Sequence, residues 1–281
     1  MKKTTMLMLF ALCAAACSKE MRVSSAQEFS SEEEKEICFD VNYGGAFIAT
    51  KITEVNRDNL ESFNLMATTG SAGAETQQWS VTATKNASSG QYTTGKYWPS
   101  TDPSYHFYAS NAPLNFSADG PWVTVDSSSD VVCTSNYSPN YNDVNSLTLS
   151  HILARVGNVE VTSANGYEVG VGGISVLETR TSGTYNVRTS TWSGQSGAAL
   201  APLTVGDNDY LLLPGSYTIQ VTYTLTKGDY TGTFTNSGEI ALVAGKTSNI
   251  KVNLAADPAV PLNFTVSVEA WEVRNVRMTL P

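Results

Sequence analysis

Charge is scarce in this chain. Only 15% of its 281 residues are Asp, Glu, Lys or Arg, and acid outweighs base to a formal net charge of −9. Nucleic-acid binding needs clustered Lys and Arg to neutralise phosphates, and the sequence has no such cluster. Histidine is reduced to His106 and His151, each inside an apolar run with no Cys or His at metal-ligand spacing, so both read as structural side chains. The G-x-S-x-G elbow of the hydrolases is missing, because Gly194-Gln195-Ser196-Gly197-Ala198 lacks the last glycine. Gly170-Val171-Gly172-Gly173 opens no helix, which excludes a phosphate loop. Asp126 to Asp130 and Asp207 to Asp209 fall short of the EF-hand pattern and read as turns. These absences leave no motif for an enzyme, a metal or a cofactor.

Cysteine is equally sparse, with four in all. Cys13 and Cys17 lie in the N-terminal segment, so Cys38 and Cys133 are the only thiols able to pair in an oxidising compartment. The spacing leaves a bridge and two separate thiols both open.

What the chain does have is Thr, Ser, Gly, Val and Tyr, a mix that suits pleated strands and tight turns. Its length allows two sandwich domains of roughly 100 to 140 residues each. The first residues are an export signal: Lys2 and Lys3 precede an apolar core from Met6 to Ala16. That core is too short for a permanent membrane helix, which needs about 20 residues. Small residues immediately before Cys17 resemble the lipobox of bacterial lipoproteins, with Ala14 where that pattern usually has Leu. The resemblance implies cleavage between Ala16 and Cys17 and acylation of Cys17, which would anchor the chain in a membrane. Residues 17–36 then form a polar tether.

Ile37, Phe39, Val41 and Tyr43 alternate with Cys38, Asp40 and Asn42 and end at Gly44-Gly45, the pattern of a strand with one buried face. Short apolar runs divided by Ser, Gly and Asn continue the β pattern. A loop rich in Ser, Asn, Asp, Tyr and Pro from Asp126 to Asn145 separates an N-terminal domain, 37–145, from a C-terminal one, 146–281. Leu147 to Val161 is expected as a strand pair or one bent strand opening the second domain. Glu178 to Gly197 reads as a polar loop carrying Tyr185 and Trp192, and Ser216 to Thr226 is the cleanest strand. The last element shifts phase at Trp271 and resumes with Val276, Met278 and Leu280.

Four stretches together resemble the fimbrillin-like proteins of Bacteroidetes, subunits of type V pili. They are Tyr97-Trp98-Pro99 with Tyr105-His106-Phe107-Tyr108-Ala109, then Leu149 to Val156, Leu211 to Tyr217, and Ala244 to Ile250. The resemblance implies an all-β fold of two tandem transthyretin-like (Greek-key) β-sandwich domains. It also implies a surface lipoprotein precursor that a protease cuts after a basic residue in the loop behind the first strand. Lys51 best matches that position and Arg57 is second, although the family usually shows Arg there. The strand bearing Ile37, Phe39, Val41 and Tyr43 would leave, and an extended segment of the next subunit would fill the groove. Val276, Met278 and Leu280 are the candidate donor, or simply the last strand of their own domain. Implied partners are other fimbrial subunits, the outer membrane through the lipid, and a host protein or glycan. A rival reading is a glycan-binding surface lipoprotein with closed sandwiches, using Trp79, Tyr97, Trp98, Trp122 or above all Trp192. A tip or anchor role within the fimbria also stays open.

Overall fold

The computed structural model describes residues 35–44, 55–56, 58–99, 104–137, 145–163, 167–254 and 263–270. The N-terminal half contains β1 (Glu36–Gly44), β2 (Ser62–Thr69), β3 (Thr76–Lys85), β4 (Tyr92–Tyr97), β5 (His106–Ser110), β6 (Asn115–Ser117), β7 (Gly120–Asp126), β8 (Val132–Tyr137) and β9 (Ser146–His151). The C-terminal half contains β10 (Ala154–Ser163), β11 (Glu168–Leu177), β12 (Ser182–Asn186), β13 (Thr191–Ser196), β14 (Leu200–Leu203), β15 (Gly206–Leu212), β16 (Gly215–Lys227), β17 (Tyr230–Leu242), β18 (Lys246–Leu254) and β19 (Asn263–Ala270). The expected all-β class is what forms. Period-two patterning explains why: β16 buries Tyr217, Ile219, Val221, Tyr223 and Leu225 and turns its threonines outward.

Seven strands close a barrel in the order β1-β4-β3-β2-β5-β8-β9. β1 is the stave that closes it, antiparallel to β4 and parallel to β9. The two layers are thus joined at both margins, and no edge of this unit is left open among the described residues. β9, expected to begin the C-terminal domain, instead pairs with β1 and β8. The chain changes sheets at Ile152 and Leu153, where β10 takes over and lies between β15 and β18. The irregular step visible in the Leu147 to Val161 pattern is this crossing. Gly157 marks a second irregularity, because a Cβ there would sit 2.5 Å from Asn249 Oδ1 and 2.7 Å from Thr247 Cγ2. The space goes to Asn249, which accepts the Asn158 amide at 2.9 Å across the bulge.

The C-terminal half has two four-stranded sheets, ordered β15-β10-β18-β19 and β14-β11-β16-β17, facing one another over a single core. A further sheet, β13-β12-β7-β6, corrects the expectation of a polar loop at Glu178 to Gly197. That stretch is a hairpin whose β12 pairs with β7 from the other half of the chain, Tyr185 against Val123 and Gly183 against Val125. The signal was weak because Ser and Thr are spread through the hairpin and its apolar residues bury only against distant partners.

Between the barrel core and the C-terminal core lies a third cluster that both halves build. Val123, Val125, Val131 and Cys133 meet Ile152, Leu153, Val187, Leu211 and Leu213 there. Contacts make Glu34–Pro281 one compact unit. Replacing the fully buried Leu213 by alanine is expected to cost about 2–5 kcal/mol. In urea titrations followed by tryptophan fluorescence and by far-UV circular dichroism, both probes should shift together in one transition. Two separated transitions would contradict the coupling.

Candidate functional site: the closing strand and its groove

β1 alternates as its sequence requires. Ile37 and Phe39 are fully buried and Val41 nearly so, all in the barrel core with Tyr92, Phe107, Leu147 and Leu149. The Phe39 ring meets the edge of Phe107 with centroids 5.2 Å apart. Polar bonds hold the strand on both sides. Thr94 donates its hydroxyl to the Ile37 carbonyl at 2.8 Å, and the Trp98 amide donates to the Lys35 carbonyl at 2.9 Å. On the β9 side the Asp40 amide donates to the Asn145 carbonyl at 2.9 Å, and Asn42 Nδ2 to Ser146 Oγ at 2.6 Å. The backbone of Tyr43 pairs with Leu149. Taken out, β1 would leave an apolar trough open to water. Each of its large side chains contributes about 1.5–3 kcal/mol of burial to keeping it closed.

The loop behind β1 carries the two expected processing positions. Lys51 and Arg57 lie outside the described residues, as do Ala16, Cys17 and the candidate donor Val276, Met278 and Leu280. The far side of that loop is described, and it is fastened. Asp130, with its side chain fully buried, accepts the Val55 amide through Oδ2 at 2.9 Å. The same carboxylate meets His151 Nδ1 at 2.9 Å. Asn56 Oδ1 accepts the amides of Asp58 and Asn59, and the Tyr92 hydroxyl donates to the Leu60 carbonyl at 2.6 Å. His151 is therefore a core residue, and Asp130 serves as a buried hydrogen-bond partner of Val55 and His151 rather than belonging to a calcium loop. Sequence reasoning missed this anchor. The short-range pattern of Asp126 to Asp130 is that of a turn, and its partners are 75 and 21 positions away.

The other singled-out residues have local roles. His106 Nε2 lies 3.1 Å from the Gly70 carbonyl, and Asp209 accepts from Arg155 at 3.0 Å. Trp79 and Trp98 pack with Tyr105 and Phe107 in the barrel, and Trp192 lies 5.0 Å from Tyr185 against the shared cluster. Neither Cys38 nor Cys133 forms a disulfide, so no covalent bond ties β1 to the barrel among the described residues. Burial pushes the Cys133 thiol up to about 12, against a small opposing effect of the Ser110 hydroxyl.

A chain of this kind is an all-β scaffold whose barrel is closed by its first strand. It belongs to the fimbrillin-like family, whose model matches residues 50–271. No curated protein matches it. Among solved structures it is similar to proteins assigned provisionally to cell adhesion. The one from Bacteroides uniformis is 16% identical, with a TM-score of 0.50, covering 84% of this chain and 98% of that one. The one from Parabacteroides distasonis is 10% identical, with a TM-score of 0.51, covering 85% and 97%. A third, from Bacteroides ovatus, is 12% identical, with a TM-score of 0.50, covering 86% and 99%. At such identities the likeness is one of fold.

Two outcomes follow from the geometry. Asp130→Ala removes the acceptor of the Val55 amide and the carboxylate facing His151, and should cost about 1–3 kcal/mol by leaving buried donors unpaired. Hydrogen exchange at Val55 should then accelerate beyond the global loss of stability, whereas an unchanged Val55 rate relative to the core would contradict the anchoring. For Cys133, only the unfolded chain releases the thiol proton near pH 9, because the folded value is about 12. Stability is thus intact below pH 9 and falls as pH rises from there toward 12. Cys133→Ala should flatten that part of the pH dependence in denaturant titrations.

Proposed function

We propose that this protein is a subunit of cell-surface fimbriae that polymerises by exchanging β1 for a strand of its neighbour. The observation that carries the reading is the state of β1: three buried side chains, hydrogen bonds to two different strands, and no disulfide among the described residues. A cut behind it converts a core element into a separate peptide. Main-chain pairing then supplies generic affinity for an incoming strand, while the pockets vacated by Ile37, Phe39 and Val41 select apolar residues at alternate positions.

In this reading residues 1–16 are the export signal, and Cys17 carries the lipid that holds the precursor at the outer membrane. Cleavage falls at Lys51, with Arg57 as the second position. Support for Lys51 comes from the fastening downstream, since the Val55 amide is held by Asp130 of the body and Asn56, Asp58 and Asn59 bond to one another in the turn that follows. Val276, Met278 and Leu280 have the alternation a donor strand needs. Such a role requires no catalysis and no cofactor. Assembly into the stalk is the primary role, with tip or anchor positions as variants of it, and adhesion to a host protein or glycan follows from display at the surface. The glycan-binding alternative is weakened by the inward packing of Trp79, Trp98 and Trp192.

Brief trypsin treatment of the purified chain tests the reading. Cleavage at Lys51 or Arg57 should release the N-terminal peptide and yield a ladder of oligomers on SDS gels, and the double variant Lys51→Ala/Arg57→Ala should abolish both. Cleavage that leaves only monomers would remove the support for a polymerising subunit.

A further inference from the structure

An open sheet ends in strands whose outer N–H and C=O groups are templates for another chain. The edges of this protein are unequally defended. β14 is four residues long and includes Pro202, β6 is three residues long, and β13 contains Gly194 at φ +58°. β15 carries Asp207 and Asp209 within seven residues. β17 has none of these devices: thirteen residues, no Pro, no Lys or Arg, and a single carboxylate, Glu239; β19, which ends the other C-terminal sheet and also lacks them, is only eight residues long. The pairing of β17 with β16 is unbroken from Leu242 to Tyr230, and β17 ends its sheet. Among the described residues no backbone hydrogen bond leaves its outer edge.

The inner face beside that edge is also incompletely covered. Ile240 and Leu242 are buried, but Phe234 and Asn236 are only half-buried, and Gly232 and Gly238 flank them without side chains. The rings of Tyr230 and Phe234 already lie over Gly232, where a Cβ would come within 2.7 Å and 2.8 Å of them. Gly238 is the second position on this lip without a side chain. In strands, bare positions of this kind suit close approach by another chain.

We propose that β17 pairs antiparallel with β17 of a second copy of this chain, about a two-fold axis at Asn236, joining two four-stranded sheets into one. Size complementarity selects this register. With Asn236 at the centre, each Phe234 faces Gly238 of the partner subunit, and Gly232 faces Ile240 of the partner subunit. Centring on Thr235 would set glycine against glycine, and centring on Phe234 would set ring against ring. Charge agrees: on the outer face Thr235 meets Ser237 of the partner subunit and Thr233 meets Glu239 of the partner subunit, so no two carboxylates oppose one another. The pairing uses the C-terminal sheet and not the barrel, so it does not depend on strand exchange; it would link neighbouring subunits side by side.

Disulfide trapping and sedimentation of the full chain test this. Asn236→Cys should oxidise to a covalent dimer, because residues directly opposite in an antiparallel pair have Cα atoms about 4.5–5.5 Å apart. Ser237→Cys, which would face Thr235 instead of itself, should give little. The double variant Thr235→Lys/Ser237→Lys places like charges opposite one another and should weaken the dimer about tenfold or more, with melting temperature unchanged. A chain that stays monomeric at about 100 μM, or that is trapped equally at both cysteines, overturns the proposal. Dimerisation that disappears on removing residues 271–281 would overturn it too, and would assign the edge of β17 to that segment.

Discussion

The structure depends on a seam of three side chains. Ile37, Phe39 and Val41 come from the first strand and fill the centre of a barrel whose other staves arrive much later in the sequence. The burial of that seam is concentrated in one strand that no disulfide ties to the barrel among the described residues. Because β1 lies between β4 and β9, its loss would unpair two strands at once and expose apolar surface along both. An exposed trough of this kind is unstable in water until another strand fills it. The same contacts that close the monomer thus describe what a replacement must bring.

The barrel and the C-terminal sheets are tied together by the shared cluster, because its members come from both halves and β12 pairs directly with β7. Two buried polar contacts reinforce the same region. Asp130 holds His151 and the Val55 amide downstream of the loop behind β1, and the Arg155–Asp209 ion pair holds the first strand of the C-terminal sheets. Buried pairs contribute little net stability but make alternative packings costly, since any rearrangement would strand a charge away from water.

Much of the fold was legible in the chain. The period-two runs at Ile37 to Tyr43 and Ser216 to Thr226 identified strands whose buried faces match the pattern residue for residue wherever the side chains are described. The irregular step after His151 was visible as well. Its meaning was not, because periodicity tells a strand which face to bury and says nothing of which sheet will accept it. The hairpin at Ser182–Ser196 was hidden for a related reason. Its Ser and Thr positions show no alternation of apolar with polar residues, and only a neighbour from the other half makes Tyr185 and Trp192 part of a core.

The sequence by itself determined the β class, the alternation of the first strand, the scarcity of charge and the family resemblance, since each is written in the order of residue types. Tertiary structure alone decided that β9 belongs to the barrel, that Asp130 holds Val55 and His151, and that β17 is the longest strand at a sheet edge. The physical reason is range. Side-chain alternation acts between residues two apart, whereas pairing, burial of a carboxylate and exposure of an edge are set by segments that meet only when the chain has closed.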